Sequence, residues 1–143
     1  WTVHAVDTAA QGLAMLRSAV PAPARARLVT VEARLEQYEL PPCDLVWSGW
    51  SLPYCPAAEW PALVQRIGAA LRPGGRFAGD VFGPRHAWAA EFEVTTLDEA
   101  VLRQQLRDAG LTIEAFDVED GWRPSGGAMT RWHAYGVIAR AAS

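Results

Sequence analysis

Two stretches decide the reading of the chain: residues 43–48, Cys43-Asp44-Leu45-Val46-Trp47-Ser48, and residues 71–77, Leu71-Arg72-Pro73-Gly74-Gly75-Arg76-Phe77. The first is almost continuously apolar, which suits a strand of a parallel sheet covered on both faces. The second closes a helix, turns tightly at Pro73-Gly74-Gly75 and leads into the apolar strand Arg76 to Phe82. Between them, Trp60, Leu63, Val64, Ile67 and Leu71 recur at helical spacing within a predicted helix from Pro56 to Leu71. A strand, a helix and a second strand in this order make a parallel crossover.

Working upstream, Thr2 to Val6 is short, β-branched and apolar, and reads as a strand ending at Asp7. Thr8 and Gln11 have the spacing of a capping box. Ala9, Leu13, Leu16 and Val20 then form one helical stripe, stopped by Pro21 and Pro23. Arg27 to Glu32 reads as another strand ending on an acid, and residues 33–40 as a turn or short helix. Working downstream, Gly83-Pro84 opens an aromatic-bearing loop to about Val94. Thr96 and Glu99 repeat the capping-box spacing, Leu102, Leu106 and Ala109 supply a stripe, and Gly110 stands where a helix would end. Leu111 to Val118 is a predicted strand, Asp120 to Thr130 a polar connection, and Arg131 to Arg140 the last strand. The last two strands follow each other without a helix, so they should pair antiparallel. Alternating strands and helices specify an α/β fold with a mainly parallel sheet, and 143 residues fit one domain.

Composition narrows the function. The chain has 13 basic residues, all arginine, against 16 acidic ones, for a net charge of −3. The absence of lysine excludes Schiff-base catalysis and a lysine-bearing phosphate loop within this stretch. The acidic balance argues against a nucleic-acid partner. Half the residues are hydrophobic and a fifth are charged, as in a globular fold. No apolar run is long enough to span a membrane. Cys43 and Cys55 match neither a zinc pattern nor a disulfide framework and read as reduced thiols of a cytoplasmic protein.

Ligands of open α/β sheets bind at the carboxyl ends of strands, so those residues are the first candidates. Asp7 can accept hydrogen bonds from the paired hydroxyls of a ribose, or simply cap the following helix. Glu32 could receive an exocyclic amine of adenine, or be a solvated loop acid. Gly49, after Ser48, lets a ligand approach the backbone closely. Trp50, Tyr54 and Trp88 follow strand ends and could line a pocket, although aromatic residues more often serve the core. His86, in the loop after residue 83, is a candidate general base. His133 reads as a structural histidine. Asp80, alone in an apolar strand, needs either hydrogen-bond partners or a functional role. The histidines show no metal-ligand spacing with the cysteines or acids, so no metal is expected.

The ordered set resembles the class I S-adenosylmethionine-dependent methyltransferases, whose fold is a Rossmann-like sheet, mostly parallel with a C-terminal antiparallel pair. The matching pieces are His4-Ala5-Val6-Asp7, Val31-Glu32-Ala33, Cys43 to Ser48, Leu71 to Phe77, and Asp108-Ala109-Gly110-Leu111 with the closing strand pair. Trp50-Ser51-Leu52-Pro53-Tyr54-Cys55 and the Phe82-Gly83 loop look most like small bacterial methyltransferases of the tellurite-resistance type. The resemblance implies S-adenosylmethionine as cofactor. Asp7 would take the ribose, with Thr8 beside it. Glu32 or the backbone of Ala33 would hold the adenine, and Ser48 and Gly49 would face the methionine portion. It also implies a small-molecule acceptor bound by loops near 50–56, 83–95 and 120–132, and His86 as base only if the acceptor must lose a proton. Oligomeric state stays open, a homo-oligomer included.

The family's first strand and glycine-rich loop have no counterpart in this sequence and are expected just before Trp1. In the family that strand lies between the second and the fourth. Without it, several buried backbone groups would lack partners at about 1–3 kcal/mol each. The 143 residues alone are therefore expected not to fold as a monomer with that slot open. Two other functions compete: a nicotinamide-dependent oxidoreductase, which the Pro73-Gly74-Gly75 turn and the closing antiparallel pair disfavour, and a non-catalytic, truncated methyltransferase-like binding domain.

Overall fold

A computed structural model describes residues 1–142 of the chain. They form two compact units, Trp1–Glu39 and the described residues from Leu40 onward. In the first, β1 (Val3–Asp7) and β2 (Leu28–Glu32) pair in parallel, joined by α1 (Ala10–Ala19) and the short α2 (Ala22–Arg25). The register sets Asp7 opposite Glu32, so both acids stand at the same end of the pair. Helix α1 buries only Leu13; Leu16 of the predicted stripe is 38% exposed. The predicted Thr8–Gln11 capping box does not form. Ala9 is the N-cap and makes no side-chain cap bond, while the Asp7 carboxylate accepts from the Ala9 N–H at 2.8 Å. An aspartate accepting from the N–H two residues on is an Asx turn, which here takes up a helix-start donor in place of the Thr8 hydroxyl.

The second unit is a four-stranded sheet in the order β3-β4-β6-β5. Strand β3 (Cys43–Ser48) pairs in parallel with β4 (Leu71–Phe82) across α3 (Trp60–Ala70), as the crossover predicts. Residues 71–75 belong to the extended segment, and the tight turn shows as an irregular register: Cys43 pairs with Leu71, then Leu45 with Arg76. Gly74 takes the excess, at φ +75°, a conformation that costs only glycine nothing. Helix α4 (Glu99–Asp108) precedes β5 (Leu111–Ser125) and β6 (Ala128–Ala141), and β6 inserts antiparallel between β4 and β5. Gly110 follows α4 at φ +75°, in the expected terminating position. The N-cap of α4 is Asp98 rather than Thr96, with no side-chain cap bond, and Glu99 pairs with Arg103 instead.

Two expectations about the sheet are corrected. Residues 120–130 are not a loop: β5 and β6 stay paired out to Ser125 and Ala128, and Gly126-Gly127, both at positive φ, make the turn. A two-residue turn with both residues left-handed matches strand twist, which is why two glycines serve it. Nor is β3 covered on both faces among the described residues, since Leu45 is 40% and Trp47 74% exposed.

The core of the second unit lies where the helices meet the sheet. Trp60, Leu63, Val64 and Ile67 of α3, Leu102 and Leu106 of α4, and Phe77, Val81, Val137 and Ala139 of the strands are all buried. Each fully buried leucine contributes about 1.5–3 kcal/mol. The Trp60 indole N–H donates to Gln105 Oε1 at 2.8 Å, tying α3 to α4. The two helices approach closely at Gly68, where a Cβ would stand 2.1 Å from the carbonyl oxygen of Ala109.

Candidate functional site

In the first unit the candidate ligand groups are the acids closing β1 and β2. Asp7, Thr8 and Glu32 are exposed, and Ala33 is half-buried. One Asp7 oxygen is engaged by Ala9, and the Ala33 N–H donates to the Asp7 carbonyl at 3.1 Å. This leaves the second Asp7 carboxylate oxygen and the Glu32 carboxylate as hydrogen-bond acceptors at one strand end.

In the second unit the strand ends carry a denser arrangement. Ser48 ends β3 opposite Gly79, is buried, and its hydroxyl has no hydrogen-bond partner. Gly49 follows with the Trp47 ring over it; a Cβ there would meet that ring at 3.0 Å. Trp50 then adopts φ +58°, the one non-glycine residue with positive φ among those described. Such a conformation costs of order 1–3 kcal/mol and persists only when its surroundings hold it. Here the Trp50 backbone faces the partly buried Asp80 carboxyl of β4. Partial burial raises the Asp80 pKa, and the nearby Trp50 backbone opposes that rise.

Above these strand ends Phe82, His86, Trp88, Trp132 and Trp50 pack into one ring cluster. Phe82 and His86 stack with centroids 3.7 Å apart, and Trp132 meets His86 edge-on at 4.6 Å. Trp88 makes edge contacts with Phe82 at 5.7 Å and Trp132 at 5.8 Å. Trp50 lies on Phe82 at 5.8 Å and against the edge of Trp132 at 5.2 Å. The β4–β6 register builds this cluster: Phe82 faces Ala134, which puts Trp132 one pleat along on the same face.

His86 is 2% exposed, and burial, followed by the nearby His133, lowers its pKa. Its Nδ1 accepts from the Trp88 N–H at 3.2 Å. A neutral imidazole has one donor and one acceptor nitrogen, so the proton sits on Nε2. That Nε2 is buried without a partner, as is Nε1 of Trp132. In this tautomer His86 offers its neighbours a donor, and acting as a base would require it to forfeit the Trp88 bond. His133 is also buried, accepts the Arg85 N–H on Nδ1 at 3.1 Å, and is held below its ordinary pKa first by burial and then by Arg85. Arg85 continues to Asp120 at 2.5 Å, and Arg131 pairs with the same carboxylate. The hydrogen bond from Arg85 is the largest influence lowering the Asp120 pKa.

The ring cluster thus contains Trp50, Trp88 and His86 from the predicted residues. Tyr54, on the single-turn helix Leu52–Tyr54, is 56% exposed and makes no ring contact with the cluster. Phe82 and Trp132 were not singled out from sequence, because only the long-range strand register reveals their shared face. No group of described residues could hold a metal ion, and no described helix is long and apolar enough to cross a membrane.

A family model described as "Methyltransferase domain" matches residues 1–79. No curated protein matches the chain. Among solved structures, the chain is similar to a possible exported protein from Bordetella parapertussis, with 19% identity and a TM-score of 0.69. It covers 98% of this chain but only 53% of that one. It is similar to an S-adenosylmethionine-dependent methyltransferase from Mesorhizobium loti, with 20% identity, a TM-score of 0.73, and coverage of 96% of this chain and 80% of that one. It is also similar to the N-methyltransferase NodS from Bradyrhizobium japonicum in complex with S-adenosyl-L-homocysteine, with 13% identity, a TM-score of 0.71, and coverage of 98% and 66%. At these identities the likeness establishes a shared fold.

Proposed function

The chain belongs to the methyltransferase domain family, and from that premise we propose that it serves S-adenosylmethionine-dependent methyl transfer to a small-molecule acceptor. The observation that carries the reading is the pair of acids in register at the ends of β1 and β2, Asp7 opposite Glu32. Two carboxylates at the carboxyl end of a parallel pair suit the hydroxyls and amine of an adenosine. The matched stretch 1–79 runs through both compact units, which supports reading them as one domain.

We assign the cofactor's groups to residues within each unit separately. Asp7 keeps one carboxylate oxygen for a ribose while the other fixes the start of α1. Thr8 flanks it. The adenine amine, a donor, goes to the Glu32 carboxylate or to the Ala33 carbonyl, the Ala33 N–H being given to the Asp7 carbonyl. In the second unit the unpartnered Ser48 hydroxyl and the Gly49 backbone are assigned to the methionine portion. When bound, the cofactor supplies a methyl group on a positively charged sulfur: an acceptor lone pair forms the new bond to carbon, the carbon–sulfur pair returns to sulfur, and any acceptor proton leaves to solvent. A charged leaving group makes positioning the protein's main contribution. The ring cluster with Trp50, Trp88 and His86 is the acceptor side, and Tyr54 is assigned to the same acceptor loops, 50–56 among them. The acidic net charge supports a small molecule over nucleic acid, and two cysteines, too few for a disulfide framework, suit a bacterial cytoplasmic protein.

Calorimetric titration of the protein, with any segment that precedes Trp1 included, against S-adenosylhomocysteine tests the reading. Binding is expected, and Asp7→Ala should weaken it by about 1–3 kcal/mol, the cost of a lost charge-assisted bond. No binding at millimolar cofactor would reject it.

A further inference from the structure

The ring cluster contains two buried N–H groups with no acceptor. Trp132 Nε1 can only donate. His86 Nε2 carries the ring proton, because Nδ1 is occupied by the Trp88 N–H. Both side chains are more than nine-tenths buried, at 8% and 2% exposure, and their rings are 4.6 Å apart. A buried donor left unpaired is costly, and a folded chain retains two adjacent ones only where something else supplies the acceptor.

The chemistry of that something is constrained. Ring walls from Trp50, Phe82 and Trp88 favour a flat apolar body. Aromatic cages also attract ammonium groups, but a cation here would face the positive ends of two N–H dipoles. An oxygen with lone pairs satisfies both donors. We propose that the methyl acceptor is a planar aromatic compound bearing a carboxylate, carbonyl or phenolate oxygen. Trp132 Nε1–H and His86 Nε2–H grip that oxygen while its ring packs against Trp50 and Trp88. The proposal rests on the methyltransferase reading for the identity of the ligand as substrate. It makes His86 a donor that orients the acceptor, in place of a base.

Entry is through Trp50. Its ring covers Phe82 and Trp132 yet is 40% exposed. An indole exposed on one side has solvent to turn into, which would uncover the rings beneath it.

The test uses ¹⁵N-labelled protein and four probes of similar size: benzoate, acetophenone, toluene and benzylammonium. Benzoate or acetophenone should bind and move the Trp132 indole proton downfield, the signal being assigned by its loss in Trp132→Phe. Trp132→Phe keeps an aromatic ring and deletes the donor, so it should weaken the oxygen-bearing probes about tenfold and leave toluene unchanged. His86→Phe should do the same, with the chemical-shift change in the wild-type protein as the safeguard if that variant is unstable. Oxygen-bearing probes that bind no better than toluene would overturn the proposal, and so would preferred binding of benzylammonium. S-adenosylhomocysteine affinity is measured on the same samples. Its absence would reject the methyltransferase reading, whereas the probe preference alone decides the donor pair.

Discussion

The same substitution placed in two helices should change stability in opposite directions. Glycine in a helix interior costs about 1 kcal/mol relative to alanine. Gly12 in α1 has open surroundings: an added Cβ meets nothing nearer than the Ala9 Cβ at 3.6 Å, an ordinary contact. Gly12→Ala should therefore stabilise the protein by up to about 1 kcal/mol. Gly68 in α3 earns the same helical gain, but its Cβ would lie 2.1 Å from the Ala109 carbonyl oxygen and 3.1 Å from its carbon. Those are backbone atoms and cannot rotate aside. Relieving an overlap of this size must separate α3 from the end of α4, around the Trp60–Gln105 bond. Overpacking of this kind costs about 1–3 kcal/mol and occasionally more. With the upper figure and the helical gain subtracted, Gly68→Ala should lose about 2 kcal/mol. In a chain of this length that lowers the melting temperature by roughly 4–8 °C. Thermal melts followed by circular dichroism on the two variants decide the matter. A Gly68→Ala variant as stable as the parent would show that the close approach of α3 and α4 is wrong.

Three further predictions follow from described contacts. Gly83→Ala would place a Cβ 2.3 Å from the ring of buried His133, whose movement Arg85 resists; a loss of about 1–3 kcal/mol in denaturant unfolding is expected, and an unchanged midpoint would contradict it. Gly127→Ala forces φ +85° on a residue with a Cβ; it should destabilise the β5–β6 hairpin by about 1 kcal/mol, seen as faster amide exchange at residues 120–130. The pH prediction concerns His86 and His133, both held below the ordinary histidine value near 6.5 by burial. The unfolded chain then binds more protons than the folded one below that value, so their contribution is complete above about pH 6.5 and declines as pH falls toward the folded values. His86→Phe should flatten the melting temperature between pH 7 and 5.5, and an equally steep profile would remove His86 as a cause.

What was legible in the sequence is what depends on neighbours along the chain. The β3–α3–β4 crossover, the α4 stripe of Leu102 and Leu106, and the stop at Gly110 all rest on local spacing and turn chemistry. The capping boxes failed because the N-caps are Ala9 and Asp98, one and two residues past the predicted Thr8 and Thr96, a margin that spacing does not resolve. Residues 120–130 read as a loop because their polar side chains bury little; their strand character comes from hydrogen bonds to one another across the Gly126-Gly127 turn. The ring cluster depends on Phe82 and Trp132, which are 50 positions apart (132 − 82) and are brought together by strand register. Of the candidate site, the acids Asp7 and Glu32 could be named from strand ends alone. The donor character of His86 could not, because it is set by a bond from the Trp88 backbone.

The packing of three indoles has an optical consequence. Trp50, Trp88 and Trp132 are linked by contacts of 5.2 and 5.8 Å, close enough for their electronic transitions to couple. The chain should show an exciton signature in circular dichroism that isolated indoles such as Trp1, 83% exposed, cannot contribute. Turning one indole out of the trio changes the mutual angles on which that signature depends. Occupancy of the aromatic cluster could then be followed with unmodified protein in an ordinary cuvette.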